Sequence, residues 1–247
     1  MLPAFTPAQW LLAILAAFCI GFSKSGFPGA SLVTVIIMAH LFGARESTGA
    51  LLPMLICGDI LSVRVFHQHA RWALIRRMLP PTAFGIVAGY VLMLWLPGGA
   101  FRLIIGWIVL TMVILQAVRR WRPEWYGSVP HSRSFAVAMG IATGFATMLA
   151  NAAGPIMVIY LLAMRLPKSE FVGTGAWYFF LLNLFKVPFS VHLGLITPNS
   201  LLFNAALAVP IFAGAALGRW LVHRIPEKPF TMAMQALAVI GAVRLLF

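Results

Sequence analysis

Asp59, Lys24, Lys186 and Asn183 could do chemistry in places where polarity is expensive. Asp59 lies inside the apolar run Leu55-Ile56-Cys57-Gly58-Asp59-Ile60-Leu61, whereas Glu46, Glu124, Glu170 and Glu227 belong to connections. A charge at the centre of a membrane helix costs about 2.5–3.5 kcal/mol on insertion scales, so such a residue marks a functional position by default. Asp59 either carries a coupling proton or pairs with a cation, Arg64 or Lys186. Asn183 is its approximate counterpart in the second half of the chain, and Lys186 follows three residues later on the same helix face. Three roles are open to Lys186: contact with substrate, a pair with Asp59, or snorkelling to an interface. Pro188 is expected to kink the segment that carries it.

The stretch Gly21 to Leu32 reads GFSKSGFPGASL and places Lys24 among helix breakers between two apolar runs. Its partner in the second half is Asn151-Ala152-Ala153-Gly154-Pro155. Proline at the first helical position and Ser or Asn near a cap are start signals. A helix start leaves N–H groups free and carries a partial positive charge, which favours an anion. Small residues let a ligand approach the backbone. The expected substrate-binding set is therefore Ser23, Lys24, Ser25 and Gly26 facing Thr147, Asn151 and Gly154, with Asp59, Asn183 and Lys186 as a coupling or supporting group. Lys24 either adds its charge to that site or marks the cytoplasmic end of the first segment.

Other chemistries lack their residues. His67 and His69 are separated by one residue, about 200° apart on a helix, which is poor for a metal. No Cys/His cluster, phosphate loop, nucleotide fingerprint or Ser/His/Asp set is visible, so an enzyme is not expected, and neither a cofactor nor a metal. Cys19 and Cys57 both lie in apolar runs and read as inert thiols. The net charge of +13 would suggest nucleic acid in a soluble protein. Here the basic residues lie mostly between apolar runs, which assigns them to topology instead. Several tryptophans stand near segment ends, as interfacial anchors do.

The elements that must position these residues are membrane helices. The 247-residue chain is 62% hydrophobic and only 9% charged, with a mean hydropathy of +0.95. Apolar runs of near-membrane length recur from end to end, whereas a β-barrel would show short alternating segments. The expected class is an all-α polytopic membrane protein of ten segments: 7–23, 28–42, 48–66, 72–96, 100–118, 135–150, 152–164, 171–192, 199–223 and 229–246. No Lys or Arg precedes Lys24, so the first segment lacks the basic flank of a cleaved signal peptide and is expected to be retained.

With the N-terminus outside and each segment changing side, eleven basic residues fall in inside connections and Arg45, Arg102 and Arg244 outside. That bias predicts both termini on the non-cytoplasmic side of an inner membrane. Pro81, Gly85, Gly89, Pro97 and Phe101 recur at Pro210, Gly214, Gly218, Pro226 and Phe230, a constant offset of 129. Gly21-Phe22 recurs as Gly144-Phe145, an offset of 123. The expected organisation is a first repeat over 1–118, a basic cytoplasmic linker over 119–134 and a second repeat over 135–247. Five segments per repeat invert the second relative to the first, the plan of many secondary transporters. The first two segments of each repeat are too short to span about 30 Å of hydrocarbon, which predicts broken or re-entrant helices and a binding site beside them.

Gly21-Phe22-Ser23-Lys24-Ser25-Gly26-Phe27-Pro28-Gly29, with Pro53 in a third segment, resembles the first signature of the sulfite exporter TauE/SafE family. Gly144 with Asn151-Ala152-Ala153-Gly154-Pro155 resembles its second, and the likeness covers essentially the whole chain. The resemblance implies an inner-membrane permease, most simply an exporter, for sulfite or a small organosulfur anion. Phe27 departs from the glycine run common in the family and would narrow the site. The expected function is alternating-access export of such an anion, coupled or not to a proton or sodium ion, with the lipid bilayer as the other partner. An anion channel, a carrier of a non-sulfur organic acid and a non-transport membrane subunit are the alternatives.

Overall fold

In lipid every backbone N–H and C=O must be satisfied within its own segment, so apolar runs of this kind become helices. The structure, a computed structural model, describes residues 3, 5–24, 30–121, 132–221, 236 and 243. Its elements are α1 Pro7–Lys24, α2 Ala30–Phe42, α3 Ala44–Phe66, a 3-10 turn His67–His69, α4 Trp72–Trp95 and α5 Gly98–Trp121. The second half holds α6 Arg133–Ala150, α7 Gly154–Ala163, α8 Lys168–His192, α9 Pro198–Ala206 and α10 Ala208–Leu221. No strand occurs among the described residues.

Local chemistry sets several boundaries. Ser132 caps α6 by accepting from Phe135 N at 3.1 Å. Thr197 and Ser200 form a capping box ahead of α9, whose first residue is Pro198. Asn151 ends α6 in the left-handed region at φ 52°, a conformation asparagine tolerates better than most residues. The residue before α4, Arg71, donates its N–H to Thr174 Oγ1 of α8 at 2.9 Å. Its guanidinium bonds the Glu170 carboxylate, which holds Arg71 charged beyond its ordinary range.

Among the described residues five helices are long and apolar enough to cross a membrane: α1, α3 with its 3-10 turn, α4, α5 and α6. A sixth span arises if α9 and α10 count as one, and the chain is a multi-pass membrane protein. The structure corrects the expected segment 199–223, which is two helices meeting at 46° around Leu207 rather than one run. Helix α5 continues to Trp121, three residues into the expected linker, while α8 continues through Pro188 to His192. The expected segment 229–246 lies outside the described residues except for 236 and 243.

Helix α1 and the shorter α2 pack against each other as a hairpin, and Thr34 Oγ1 donates to Ala16 O at 3.2 Å. The open end of this hairpin is closed by rings, with Phe5 before α1 lying 5.4 Å from Phe42 at the end of α2. Lys24, at the end of α1, reaches Asp59, 15 residues into α3, or about 22 Å along a helix that runs about 34 Å. In the second half, α6 and α7 make the equivalent pair around residues 151–153, all buried.

The most extensive packing crosses between halves. Helix α4 lies along α6, α1 along α10, and α3 along α8. Glycines make the first two approaches possible. A Cβ added at Gly85 would stand 2.2 Å from Ile141 O, and one at Gly214 would stand 2.1 Å from Phe18 O. Likewise a Cβ at Gly144 would meet Thr82 O at 2.1 Å, and one at Gly21 would meet Ile211 O at 1.9 Å. Close backbone approach through small residues is how membrane helices associate when lipid offers no hydrophobic drive. Gly21→Ala should therefore lower stability by about 1–3 kcal/mol through overpacking. Gly99→Ala, with nothing within 4 Å, should leave it nearly unchanged. Thermal unfolding of the two variants in one detergent compares them directly.

Candidate functional site

Lys24 is the last residue of α1, so its side chain leaves the helix where the chain breaks. Gly58 of α3 makes room for the stem, since a Cβ there would stand 3.1 Å from Lys24 Cγ. The ammonium then bonds Asp59 Oδ1 and lies 4.8 Å from the centroid of the Phe179 ring. Asn183 Nδ2 donates to the other carboxylate oxygen, Oδ2, at 2.7 Å. Asp59 has no exposed surface, while the Lys24 side chain keeps 15% exposure. A buried carboxylate held by an ammonium and an amide meets the general condition for keeping a charge out of water.

A second ammonium sits nearby without an acid. Lys186 of α8 is 1% exposed and donates to Thr147 O at 2.8 Å, to Thr147 Oγ1 at 3.2 Å and to Asn151 Oδ1. Its three N–H donors therefore meet three neutral oxygens. Asn151 is held in turn by its Nδ2, which donates to Thr48 O of α3 at 2.8 Å. The two lysines and Asp59 act on one another electrostatically, and together they leave one formal positive charge uncompensated among the described residues.

The sequence-derived residues divide accordingly. The structure brings Lys24, Asp59 and Asn183 into one network and Lys186, Thr147 and Asn151 into another. Asp59 takes Lys24 as its ion-pair partner, rather than Arg64 or Lys186. Lys186 does not reach an interface. Ser23 is buried but turns back on its own helix, donating to Ile20 O at 2.9 Å. Gly154 opens α7, and a Cβ there would lie 3.8 Å from Ser31 Oγ near the start of α2, so the two helix N-termini meet. Ser25 and Gly26 lie outside the described residues.

The polar contacts follow the 123-residue offset of the sequence to within one residue. Ser31 and Gly154 are 123 apart, as are Lys24 and Thr147, while Asp59 and Asn183 are 124 apart. Ser62 Oγ donates to Lys24 O at 3.0 Å, and Lys186 Nζ donates to Thr147 O. Ser62 and Lys186 are themselves 124 apart, so the second bond is the counterpart of the first. The glycine contacts behave alike. Gly85 with Ile141 maps onto Gly214 with Phe18, and Gly144 with Thr82 maps onto Gly21 with Ile211, through offsets of 129 and 123.

Sequence reasoning missed Ser62, Gly58 and Phe179. Ser62 was within reach, because the offset that carries Asp59 onto Asn183 carries it onto Lys186. Phe179 had no signal among the 19 phenylalanines of the chain. A cavity of about 570 Å³ lies elsewhere, at the α2–α3 junction, lined in part by Gly43, Arg45, Glu46 and Arg102. None of the expected site residues lines it.

The family model described as "Sulfite exporter TauE/SafE" matches residues 13–245, nearly the whole chain. No curated protein and no solved structure matches.

Proposed function

The chain belongs to the sulfite exporter TauE/SafE family, and from that membership we propose a secondary transporter that exports sulfite or a small organosulfur anion by alternating access. The observation that carries the reading is the meeting of two broken helix pairs, one from each half, around two buried ammonium groups. Each pair brings a helix N-terminus, with its free N–H groups, to the centre of the bundle. The repeat-related contacts support an inverted duplication, because offsets of 129 and 123 relate the glycine contacts and offsets of 123 and 124 relate the polar bonds.

Although α1 and α6 are long enough to cross, in this reading each turns back with its partner, α2 or α7, which leaves an odd number of full spans per half and preserves the inversion. The sidedness expected from the basic residues is likewise unchanged, with both termini on the non-cytoplasmic face of an inner membrane. Two halves of opposite sense can exchange conformations, which supplies inward-open and outward-open states of equal architecture. The charge centre of the described structure is enclosed, apart from the exposed fraction of Lys24, as in an occluded state. An inside-negative potential favours outward movement of an anion by about 2.3 kcal/mol per charge per 100 mV, so export needs no coupling ion.

Purified protein in liposomes, preloaded with unlabelled sulfite, should accumulate external labelled sulfite transiently. Such counterflow requires a carrier that returns loaded. Equilibration without overshoot would replace the carrier by an anion channel, and no flux of sulfite or any organosulfonate would remove the sulfur assignment.

A further inference from the structure

We infer that the central site is matched by charge to a monovalent oxyanion, so that a bisulfite or a sulfonate with no second charge is preferred over a dianion. The inference rests on the transporter reading above and adds the charge class of its substrate. Among the described residues three ionisable side chains interact at this site: Lys24 of α1 pairs with Asp59 of α3, and Lys186 of α8, one turn beyond the Asn183 that also bonds Asp59, acts on both electrostatically. The neighbours that complete the cluster are neutral, namely Ser62, Thr147, Asn151, Phe179 and Asn183.

Lys24 and Asp59 cancel. Lys186 has its hydrogen bonds satisfied by oxygens, but no acid bonds it among the described residues, and Asp59, which acts on it electrostatically, is already paired with Lys24. Helix dipoles do not change this sum. The α2 and α7 N-termini contribute about half a positive charge each, and the adjoining α1 and α6 C-termini contribute about half a negative charge each.

An enclosed site of one net positive charge becomes neutral when a monoanion enters. A dianion leaves it with one net negative charge, as unbalanced as the empty site, and in a medium of low dielectric that imbalance is costly. Sulfite itself titrates near neutrality, so the inference selects the singly charged form. It also makes Asp59 a specificity-determining residue. Removing its charge raises the site to two net positive charges and should move the preference to dianions.

The test uses the full-length protein, purified in detergent, and two probes on one carbon skeleton. Isethionate is a sulfonate monoanion, and sulfoacetate carries a second charge on its carboxylate. Apparent affinities come from the concentration dependence of thermal stabilisation. The wild type should bind isethionate at least tenfold more tightly than sulfoacetate. Asp59→Asn should reverse that order, and the double variant Lys24→Gln/Asp59→Asn, which restores one net charge, should restore it.

Tighter binding of sulfoacetate by the wild type would overturn the inference. So would an unchanged ratio in an Asp59→Asn protein that still binds either probe. If Asp59→Asn does not fold, the wild-type ratio and the double variant decide alone. Failure of the wild type to bind either probe, together with absent sulfite counterflow, would overturn the transporter reading and this inference with it. Counterflow of sulfite with the wrong probe order overturns the inference only.

Discussion

Asp59→Ala will be the most destabilising single change in the central cluster, by about 3–5 kcal/mol. That is the usual cost of removing one partner of a buried ion pair, because the other charge is left stranded. Here the loss is compounded. Asn183 Nδ2 loses its acceptor, and Lys186 loses the negative charge of Asp59. Lys24→Ala strands the carboxylate instead, and Asp59 has no exposed surface through which water could reach it. The two changes are therefore predicted to be strongly non-additive. The double variant Lys24→Ala/Asp59→Ala should recover more than half of the loss seen in either single variant, because it removes both charges together. Thermal or denaturant unfolding of the four proteins in one detergent gives the cycle. Additive losses would mean that the pair contributes through packing alone.

Lys186→Met will abolish transport while leaving the protein folded. Methionine is close in length to lysine and needs no solvation, so removing a desolvated ammonium offsets much of what is lost. The cost is three oxygens without their donor, on Thr147 and Asn151, each worth about 1–3 kcal/mol if left dry. The two effects nearly cancel, and a net change within about 2 kcal/mol is expected. Anion affinity has no such compensation. The cluster falls to zero net charge, and binding should weaken at least 100-fold, about 2.7 kcal/mol. Lys186→Arg should not rescue it. A guanidinium is a planar fork suited to paired acceptors, whereas the three oxygens surround a point charge. Flux measured beside thermal unfolding separates the two readouts. A folded Lys186→Met protein with wild-type flux would remove Lys186 from the transport site.

Much of this was legible before any coordinates. Composition and run length required a multi-pass helical protein, because lipid leaves the backbone no other way to satisfy itself. The break at Asn151 was readable because asparagine, glycine and proline punctuate a helix by local chemistry. The bend at Leu207 had a signal too: Pro210 lacks the N–H that would bond Ala206 O, and its ring clashes with that carbonyl, which breaks a helix at this point. The helices on either side are held by different neighbours: Asn204 of α9 donates to Ala50 O of α3 at 3.1 Å, and α10 lies along α1.

The sequence by itself determined that Asp59 and Lys186 lie inside apolar segments and must find partners there. It also offered a correspondence between residues of the two halves. Both follow from local properties: the price of a charge in hydrocarbon, and the spacing of glycines and prolines along the chain. Only the tertiary structure decided that Lys24 takes Asp59 and that Lys186 turns to Thr147 and Asn151. Arg64, Lys186 and Lys24 are equivalent as cations on paper. The choice among them belongs to helices brought together from 35 and 39 residues away. It depends on how closely their backbones pack and in which direction each side chain leaves its helix, and no local pattern encodes either.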